Sequence, residues 1–589
     1  MTNLQQKQII TELNVPVEMR DGTVLRANIY RPHQEGKWPV LLTRLPYGKD
    51  APPIHFGYYD IVRAVQQGYI VIVQDTRGRS ASEGEWDPIL TGRYEASDSD
   101  ETINWASKLP FSNGEVGMFG SSYFAFTQWA GMLHHPNALK AVAPSFSWSD
   151  PFNGMLYRGG AFELGFLSYW QLGMHLDTLP RLYPDQQELA AATKQLISDI
   201  DQLKSEIHSL PLKNFAPFIR NKVAPSILEH INREMDQEYV NHLSLKGKYN
   251  KFTIPTLNIA GWYDIFLQGT IENFLQMRDK GGSLEARQSQ LVIGPWQHLD
   301  HSQQAGELNF GIAADSASID LVGLELQWFD HFLKGIDSDI AGKAPIKLFV
   351  MGENIWREEY EWPLNRTHYT EYYLHSRGHA NTLRGDGILS TVYPENETPD
   401  HFTYDPLKPV TTKGGAIMMP NDFNGGAYDQ REIELREDVL VYTTSLLEED
   451  VEVTGPIKVK LWAASSALDT DFVARLVDVH PDDSAMNLTD GIIRARFRNT
   501  ATGEKPSLIE PEKVYLYEID LWSTSNLFRK GHRIRLDITS SSFPRWDRNP
   551  NTGLDFGEDQ EQDAVVARQS ILHDQKHPSS IVLPVIPRS

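Results

Sequence analysis

The spacing of hydrophobic residues changes along the chain and divides it into three parts. In the first part, short apolar runs alternate with longer mixed stretches, a rhythm typical of a doubly wound α/β sheet. The polar triplet Arg20-Asp21-Gly22 predicts a hairpin between the first two strands. The predicted strands of this part are Leu13–Met19, Val24–Tyr30, Val40–Thr43, Tyr69–Gln74, Val116–Phe119 and Lys140–Ala143.

The second part, residues 146–249, has a helical and aromatic pattern. Leu189–Leu210 and Pro225–Met235 both have the length and spacing of helices. We interpret this part as a helical cap inserted into the sheet domain. The sheet pattern then resumes, and a last helix, Ile319–Lys334, is predicted to end at Gly335.

Beyond about residue 345 the apolar residues alternate with a period of two, which predicts an all-β domain. The predicted strands are Ile346–Val350, Thr370–Leu374, Val439–Thr443, Ile457–Trp462, Val514–Leu521 and Ile534–Ile538. The expected fold class is therefore α/β: a doubly wound sheet domain of residues 1–145 and 250–344, the inserted helical cap of residues 146–249, and a jelly-roll β-sandwich of residues 345–589.

Two charged segments of the third part are expected to be structural. Arg494, Arg496 and Arg498 alternate with apolar residues, so we predict that they mark one solvated strand face. The aromatic and charged segment Phe543–Asn549 is expected to pack against the first, doubly wound domain.

Composition excludes several classes of partner. The 589-residue chain has a formal net charge of −23, which disfavours nucleic acid and anionic membranes. It contains no cysteine, so disulfides and thiolate metal sites are excluded. Met1–Ile10 has no signal-peptide pattern, and no apolar run has the length of a membrane span. We expect a cytoplasmic location.

The segment after Val116–Phe119 has the pattern of a nucleophile elbow. Gly120-Ser121-Ser122-Tyr123 follows the predicted strand directly, and a helix is expected to begin with Thr127. In such a turn one serine leaves the sheet at a sharp bend, and its neighbours must be small. Ser122 is therefore the candidate nucleophile.

Two later strand ends offer partners for this serine. Asp264 follows the apolar run 255–261, and His298 follows the run 290–294. The order serine, acid, histidine is that of α/β-hydrolases, whose chemistry lies at the carboxyl ends of parallel strands. Asp264 could instead cap a helix, and His298 could lie on a solvated turn or bind a metal with His301. That pair lacks an evident third ligand, so we expect neither a metal nor a cofactor.

An acyl transfer also requires donors for the oxyanion. The backbone N–H of Tyr123 is next to the nucleophile at a helix start. The second donor is expected from the loop after Val40–Thr43, where lipase-like enzymes have a glycine-rich segment that this chain lacks. The Tyr47 phenol could supply this donor, because Pro46 restrains the preceding backbone.

With these residues in view, the chain resembles cocaine-esterase-type serine hydrolases, a group that also includes α-amino-acid ester hydrolases, cephalosporin acylases and X-Pro dipeptidyl peptidases. The resemblance covers nearly the whole chain. Ala125 departs from it, since the family usually has glycine there. The matching segments are Pro46-Tyr47, Gln74–Arg79, Gly120–Tyr123, Gly261–Asp264, Gly294–His298, Met351–Asn354, Asp469–Phe472 and Ser542–Asn549.

The resemblance implies the same roles: Ser122 nucleophile, His298 base, Asp264 orienting acid, and Tyr47 with the Tyr123 amide as oxyanion hole. It also implies a homodimer or tetramer.

Residues after the acid separate the subgroups of this family. Amino-ester hydrolases carry a carboxylate pair there, whereas this chain has Ile265, Phe266 and Leu267. An apolar wall cannot compensate a buried ammonium group, which disfavours substrates with a free α-amine. Phe266 resembles the aromatic residue of the acyl pocket in cocaine esterases, and Phe166 and Trp170 from the cap are further candidates for that pocket.

Three functional hypotheses follow. The first is a serine hydrolase that cleaves small carboxylic esters through an acyl-enzyme. The second keeps the triad but changes the bond, giving an amidase, an acylase or an X-Pro dipeptidyl peptidase. The third, from another class, is a non-catalytic protein that binds small molecules through its jelly roll.

Overall fold

The computed structural model describes residues 8–51, 60–87, 89, 92–223, 225–233, 236, 238–337, 343–419 and 423–588. Its α/β part is built on a ten-stranded sheet with the order β1-β2-β4-β3-β5-β6-β9-β10-β13-β14. The strands up to residue 359, including two short pairs outside this sheet, are β1 Ile9–Glu18, β2 Val24–Pro32, β3 Trp38–Leu45, β4 Ile70–Asp75, β5 Ser112–Ser121, β6 Leu139–Ser145, β7 Tyr157–Arg158, β8 Ala161–Phe162, β9 Leu257–Tyr263, β10 Gln290–Gln297, β11 Gln304–Ala305, β12 Leu308–Asn309, β13 Ile346–Val350 and β14 Ile355–Glu359.

The centre of this sheet is parallel, from β4 through β3, β5, β6, β9 and β10 to β13, with antiparallel strands at both edges. Every residue of β4 and β9 is buried. Near-continuous apolar runs of this kind form where helices cover both faces of a parallel sheet. The carboxyl ends of β3, β5, β9 and β10 therefore meet at one edge, where the candidate residues are found.

Helices cover the sheet and form the cap. They are α1 Ile61–Gln66, α2 Gly92–Ser107, α3 Tyr123–Met132, α4 Leu164–His175, α5 Leu179–Leu182, α6 Gln186–Glu206, α7 Ala216–Asn221, α8 Pro225–Asn232, α9 Leu267–Lys280 and α10 Leu321–Lys334. Helices α4 to α8 lie between β6 and β9 in the chain and are the inserted cap. None of the helices in the described part of the chain combines the length and the apolar character needed to cross a bilayer.

The C-terminal domain is all-β apart from short helical turns, one of them α11 Arg431–Glu434. Its strands are β15 His368–His375, β16 Ile388–Ser390, β17 Asp400–Tyr404, β18 Leu440–Thr443, β19 Val451–Ser465, β20 Asp471–Val479, β21 Ala485–Arg494, β22 Tyr515–Phe528, β23 Arg533–Thr539, β24 Ala567–Leu572 and β25 Ser580–Ile586. These eleven strands form one hydrogen-bonded set. The fold class of an α/β domain with a helical cap and an all-β domain is confirmed, while the jelly-roll connectivity and the domain boundaries stay predictions.

The helix after the elbow begins earlier than the sequence predicted. Helix α3 begins at Tyr123 rather than Thr127 because the chain turns within one residue. The carbonyl of Ser122 already accepts hydrogen bonds from the N–H groups of Ala125 and Phe126, at 3.0 and 3.2 Å. Ser122 is thus the N-cap residue of the helix.

Other predicted elements differ at their ends. The cap helix predicted over Leu189–Leu210 runs from Gln186 to Glu206, and its N-cap Asp185 accepts hydrogen bonds from two first-turn amides. Helix α8 ends at Asn232, and Met235 lies outside the described residues, as do residues 1–7. The last predicted helix begins at Leu321 after a 3₁₀ turn and ends, as predicted, at a left-handed Gly335.

The prediction of a solvated arginine face was wrong. Arg494 is buried and bonds both Asp471 and Asp547 at 2.9 Å, and Arg496 pairs with Asp469 at 2.7 Å. Strand β21 ends at Arg494 and residues 495–497 form a 3₁₀ turn, so the three arginines do not share one strand face. Arg498 is partly exposed and bonds the Ser507 carbonyl at 2.6 Å. Alternation of charged and apolar residues cannot distinguish such an ion network from a solvated face.

The segment Phe543–Asn549 packs inward as well. The N–H of Phe162, in the cap part of the chain, donates to the Asp547 carboxylate at 2.6 Å, and the Trp546 indole donates to Glu163 at 2.9 Å. This segment therefore connects the all-β domain to the cap.

Candidate active site

Ser122 lies at the apex of a strained turn between β5 and α3. Its φ and ψ are 60° and −125°, a left-handed conformation that is rare outside glycine and common at functional sites. The Ser122 N–H donates to the Ser145 carbonyl at 2.9 Å and ties the apex to β6. A Cβ at Gly120 would lie 2.8 Å from Phe124 and 3.0 Å from Thr43, so the approach to the turn admits only glycine.

Asp264 and His298 are brought together from two neighbouring strand ends. Asp264 follows β9, His298 follows β10, and both side chains are buried. The Asp264 Oδ1 and His298 Nδ1 atoms are 2.6 Å apart. The second oxygen, Oδ2, accepts the Phe266 N–H at 3.0 Å. Asp264 therefore orients the imidazole. It is not the N-cap of α9, which is Phe266, although its second oxygen holds the amide of that residue.

The Ser122 hydroxyl has a different neighbour in this structure. Among the hydrogen bonds of the described residues, none joins Ser122 to His298. The Ser122 side chain lies close enough to the Tyr47 phenol to affect its pKa. Bonds between a nucleophile and its base are often long in free enzymes and shorten when substrate binds. The arrangement thus places the hydroxyl next to the candidate oxyanion donor.

The loop that carries Tyr47 is held by the Gln74–Arg79 segment. Arg79 Nε donates to the Pro46 carbonyl at 2.7 Å, and Asp75 accepts the Lys49 N–H at 2.6 Å. The cap contributes Trp170, whose Nε1 donates to the Tyr47 hydroxyl oxygen at 3.3 Å. Burial raises the pKa of Tyr47, and the Trp170 indole and the Ser122 hydroxyl oppose this rise. The phenol is therefore protonated and can act as a donor.

The backbone and the side chain of Tyr123 face different surroundings. Its N–H is at the first position of α3, where helical amides have no partner within the helix. Its phenol donates to the buried Glu95 at 3.0 Å, and Glu95 pairs with Arg44 at 2.7 Å. Burial, followed by the charge of Glu95, raises the pKa of the phenol well above its usual value. The side chain is thus an anchor, and only the amide is available as an oxyanion donor.

The three aromatic residues predicted for the acyl pocket form a continuous series. Phe266 meets the His298 ring edge-on, with centroids 5.2 Å apart. Phe166 meets Phe266 at 6.0 Å and stacks on Trp170 at 5.8 Å. Trp148 also contacts Phe266 edge-on, at 5.4 Å. The series runs from the catalytic histidine candidate to the tryptophan that bonds Tyr47.

A cleft of about 600 Å³ opens beside His298 and Trp170 and has a wall from the all-β domain. Asp300 is the only acidic residue among the described lining residues, and none of them is lysine or arginine. This wall could not be predicted from the sequence, because it is contributed by a segment more than a hundred residues after His298. The lining residues that the sequence did not identify are Tyr169, Gln297, Leu299, Ser302, Gln304, Gly306, Ile417, Met418, Met419, Asn424, Gly425 and Tyr428.

His301 and His298 line different cavities. The His301 ring stacks on Phe146 with centroids 4.5 Å apart, and burial lowers its pKa to about 4. It lines a second cavity, of about 880 Å³, together with Ser121 and the buried Glu325. Burial raises the pKa of Glu325 to about 8.

Comparison with known proteins agrees with this geometry. Residues 21–300 match the family model described as X-Pro dipeptidyl-peptidase (S15 family), and residues 339–582 match the model of the X-Pro dipeptidyl-peptidase C-terminal non-catalytic domain. The chain is 38% identical to cocaine esterase from Rhodococcus sp. over 577 residues, which covers 98% of both chains.

Two solved structures have the same fold over essentially the whole chain. An aminopeptidase from a marine sediment archaeon, Thaumarchaeota archaeon, superposes with a TM-score of 0.78 at 24% identity, covering 100% of this chain and 98% of the other. An α-amino acid ester hydrolase superposes with a TM-score of 0.79 at 24% identity, covering 99% and 98%.

Fold and site together define a serine hydrolase of the α/β-hydrolase class, with a capped catalytic domain and an all-β C-terminal domain. Within that class the chain belongs to the cocaine-esterase-type family, which shares its two family models with the X-Pro dipeptidyl peptidases.

Proposed function

We propose that this protein hydrolyses small, uncharged carboxylic esters through an acyl-enzyme on Ser122, with His298 as base and Asp264 as orienting acid. The observation that carries the proposal is the buried 2.6 Å contact between His298 Nδ1 and Asp264 Oδ1, beside a serine held in a left-handed elbow. A carboxylate on Nδ1 fixes the tautomer in which Nε2 can accept a proton.

The reaction has two balanced halves. His298 takes the proton of Ser122 as its oxygen attacks the ester carbonyl, and then gives that proton to the departing alcohol. Water repeats the sequence on the acyl-enzyme: it loses a proton to His298, attacks the carbonyl, and releases the acid with Ser122 reprotonated. No step requires a cofactor.

The oxyanion is assigned to two donors, the Tyr47 hydroxyl and the Tyr123 amide. The closeness of the Ser122 and Tyr47 side chains supports this, because a phenol near the attacking oxygen is also near the carbonyl oxygen of a bound ester. The bond from Trp170 occupies a lone pair of the Tyr47 oxygen and leaves the O–H free to donate.

The cleft favours neutral acyl and alcohol groups. Aromatic residues and the methionines Met418 and Met419 supply apolar surface, and no basic residue is available among the described lining residues to bind a carboxylate. Next to Asp264, the side chains of Ile265 and Phe266 are buried and apolar, so a free α-ammonium group would find no partner there.

The first test uses two variants of the full-length chain. Ser122→Ala should abolish hydrolysis of a chromogenic short-chain ester and labelling by a fluorophosphonate. The neighbouring Ser121→Ala serves as the matched control and should keep both. Labelling of Ser122→Ala at the wild-type level would refute the assignment, and a wild-type protein that fails to label would favour the non-catalytic binding alternative.

The second test concerns the bond cleaved. The names of the matching family models keep an X-Pro dipeptidyl peptidase as the second candidate. We expect the ester to be hydrolysed faster than the matched anilide, and an X-Pro chromogen to be hydrolysed slowest. A preference for the X-Pro chromogen would replace the ester proposal but retain the triad. A cytoplasmic location and a homo-oligomeric state remain predictions from the sequence.

A further inference from the structure

The all-β domain contains a cluster of two histidines and one carboxylate that the proposed reaction does not use. Asp478 lies near the end of β20, His480 in the turn after it, and His532 just before β23. One ligand-type atom from each residue lies within 4.8 Å of the other two, the only such group of three in the part of the chain that the structure describes.

We propose that Asp478, His480 and His532 form a binding site for one divalent transition-metal ion of the zinc type. Imidazole nitrogens and a carboxylate oxygen are typical zinc ligands, whereas magnesium and calcium prefer oxygen alone. Three protein ligands leave a fourth position for water.

The distances are close to those of a metal site. His532 Nδ1 lies 2.8 Å from Asp478 Oδ1, and His480 Nε2 lies 3.9 Å from Asp478 Oδ2. Tetrahedral ligands at 2.0–2.1 Å from zinc are separated by about 3.4 Å, a value between these two. All three ligand-type atoms lie within 4.8 Å of one another, so side-chain movements of about 1 Å would bring them around one ion.

The surroundings orient these groups and leave the site accessible. Asn526 donates to Asp478 Oδ2 at 3.4 Å, and the turn that carries His480 is closed by its N–H bond to the Ser484 carbonyl at 2.9 Å. The His480 and His532 side chains are 27% and 13% exposed, so an ion can enter from solvent.

Electrostatics also favour a cation at this site. Asp482 follows in the same turn, two residues after His480, and its carboxylate adds negative charge near the cluster. The formal net charge of −23 attracts cations to the chain as a whole.

The position of the cluster indicates a stabilising role. Asn526 forms a bridge with Met351, which directly follows β13 of the first sheet, so the cluster adjoins the junction of the two sheets. An ion here would tie β20 to the start of β23 and, through Asn526, support that junction. It would stabilise the folded chain by a free energy that increases with the logarithm of its concentration over its Kd. The sequence predicted no metal, because three ligands with this spacing do not form a recognisable motif.

The test uses the full-length protein, treated with chelator and exchanged into metal-free buffer. Titration with zinc chloride should show one ion bound per chain by calorimetry, and the thermal unfolding midpoint should rise by at least about 3 °C. X-ray absorption should show two imidazole nitrogens on the metal. Equal concentrations of magnesium chloride should have no such effect.

The decisive variant is His480→Gln, because it retains the hydrogen bond between His532 and Asp478 and so should fold. It should bind zinc at least about tenfold more weakly and lose the rise in midpoint. The exposed His134→Gln is the matched control and should behave as wild type. Absence of zinc binding, or binding that persists unchanged in His480→Gln, would overturn the proposal. Zinc bound at His298 instead would persist unchanged in His480→Gln, and it would also abolish ester hydrolysis.

Discussion

The Trp170 indole of the cap donates a hydrogen bond to the Tyr47 hydroxyl of the catalytic domain, with Nε1 and oxygen 3.3 Å apart. Tyr47 follows β3 and Trp170 lies in α4, so a single bond connects the cap to the candidate oxyanion hole. Phe166 stacks on Trp170 and also touches Phe266, which packs against His298. The cap thus supports the donor and the base together.

Replacement of Trp170 by phenylalanine should lower kcat for a short-chain ester by about three- to tenfold, the value of one neutral hydrogen bond. The ring and its stacking on Phe166 are largely kept, so the fold should persist. Steady-state kinetics on matched esters will measure the effect.

A double-mutant cycle separates this mechanism from a loss of packing. Tyr47→Phe alone should lower kcat by about 10- to 1,000-fold. If Trp170 acts through Tyr47, adding Trp170→Phe to that variant should cost almost nothing more. Equal losses in both backgrounds would show that the tryptophan acts through pocket shape instead.

Replacement of Asp264 by asparagine should lower kcat by about 10⁴-fold, because the amide no longer selects the imidazole tautomer that can accept the serine proton. The volume is unchanged, so unfolding should be little affected. Asp279→Asn, on the exposed end of α9, is the matched control. A loss of only a few-fold in Asp264→Asn, with circular dichroism unchanged, would contradict the assigned role.

The parts of the site close to strand ends could be predicted from the sequence. Ser122, Asp264 and His298 each follow a short apolar run that ends in glycine or at a polar turn. Since the carboxyl ends of parallel strands share one edge, chain order alone brought Asp264 and His298 together. The elbow could be predicted for the same reason, although its helix begins at once because Ser122 itself caps α3.

The parts that depend on contacts between distant segments could not be predicted. The cleft wall containing Met418, Met419 and Tyr428 comes from the all-β domain, and nothing in its local pattern distinguishes it from an ordinary loop. Whether a charged side chain such as Arg494 faces solvent or the interior depends on what packs against it. Its carboxylate partners, Asp471 and Asp547, are distant in sequence. His480 and His532 come together only because β20 pairs with β23.

Replacement of Arg494 by methionine should destabilise the protein by about 3–5 kcal/mol, because it leaves two buried carboxylates without their cation. These are Asp471 and Asp547, both at 2.9 Å from the guanidinium. Thermal or denaturant unfolding will measure the change. Arg498→Met, at a partly exposed guanidinium that bonds the Ser507 carbonyl, is the control and should cost much less. Similar losses in both variants would show that the carboxylates find other partners.

Replacement of Glu325 by glutamine should stabilise the protein at high pH and leave it unchanged at low pH. Burial raises the pKa of Glu325 from 4.5 to about 8, so the folded state holds a proton that the unfolded state has released between these two values. The contribution of Glu325 to the free energy of unfolding therefore falls as pH rises from about 4.5 to about 8, and it is constant above that range. The glutamine side chain carries no such proton and removes this dependence.

The expected result is a rise in unfolding midpoint of about 3–8 °C at pH 8.5, with no difference from wild type at pH 4.5. Thermal scans at one fixed rate across this range will measure it. Glu285→Gln, at an exposed carboxylate, should follow wild type throughout. A stabilisation of Glu325→Gln that is equal at both pH values would show that the carboxyl group does not change its protonation on folding, and that the gain comes from hydrogen bonding or packing in the cavity beside Ser121.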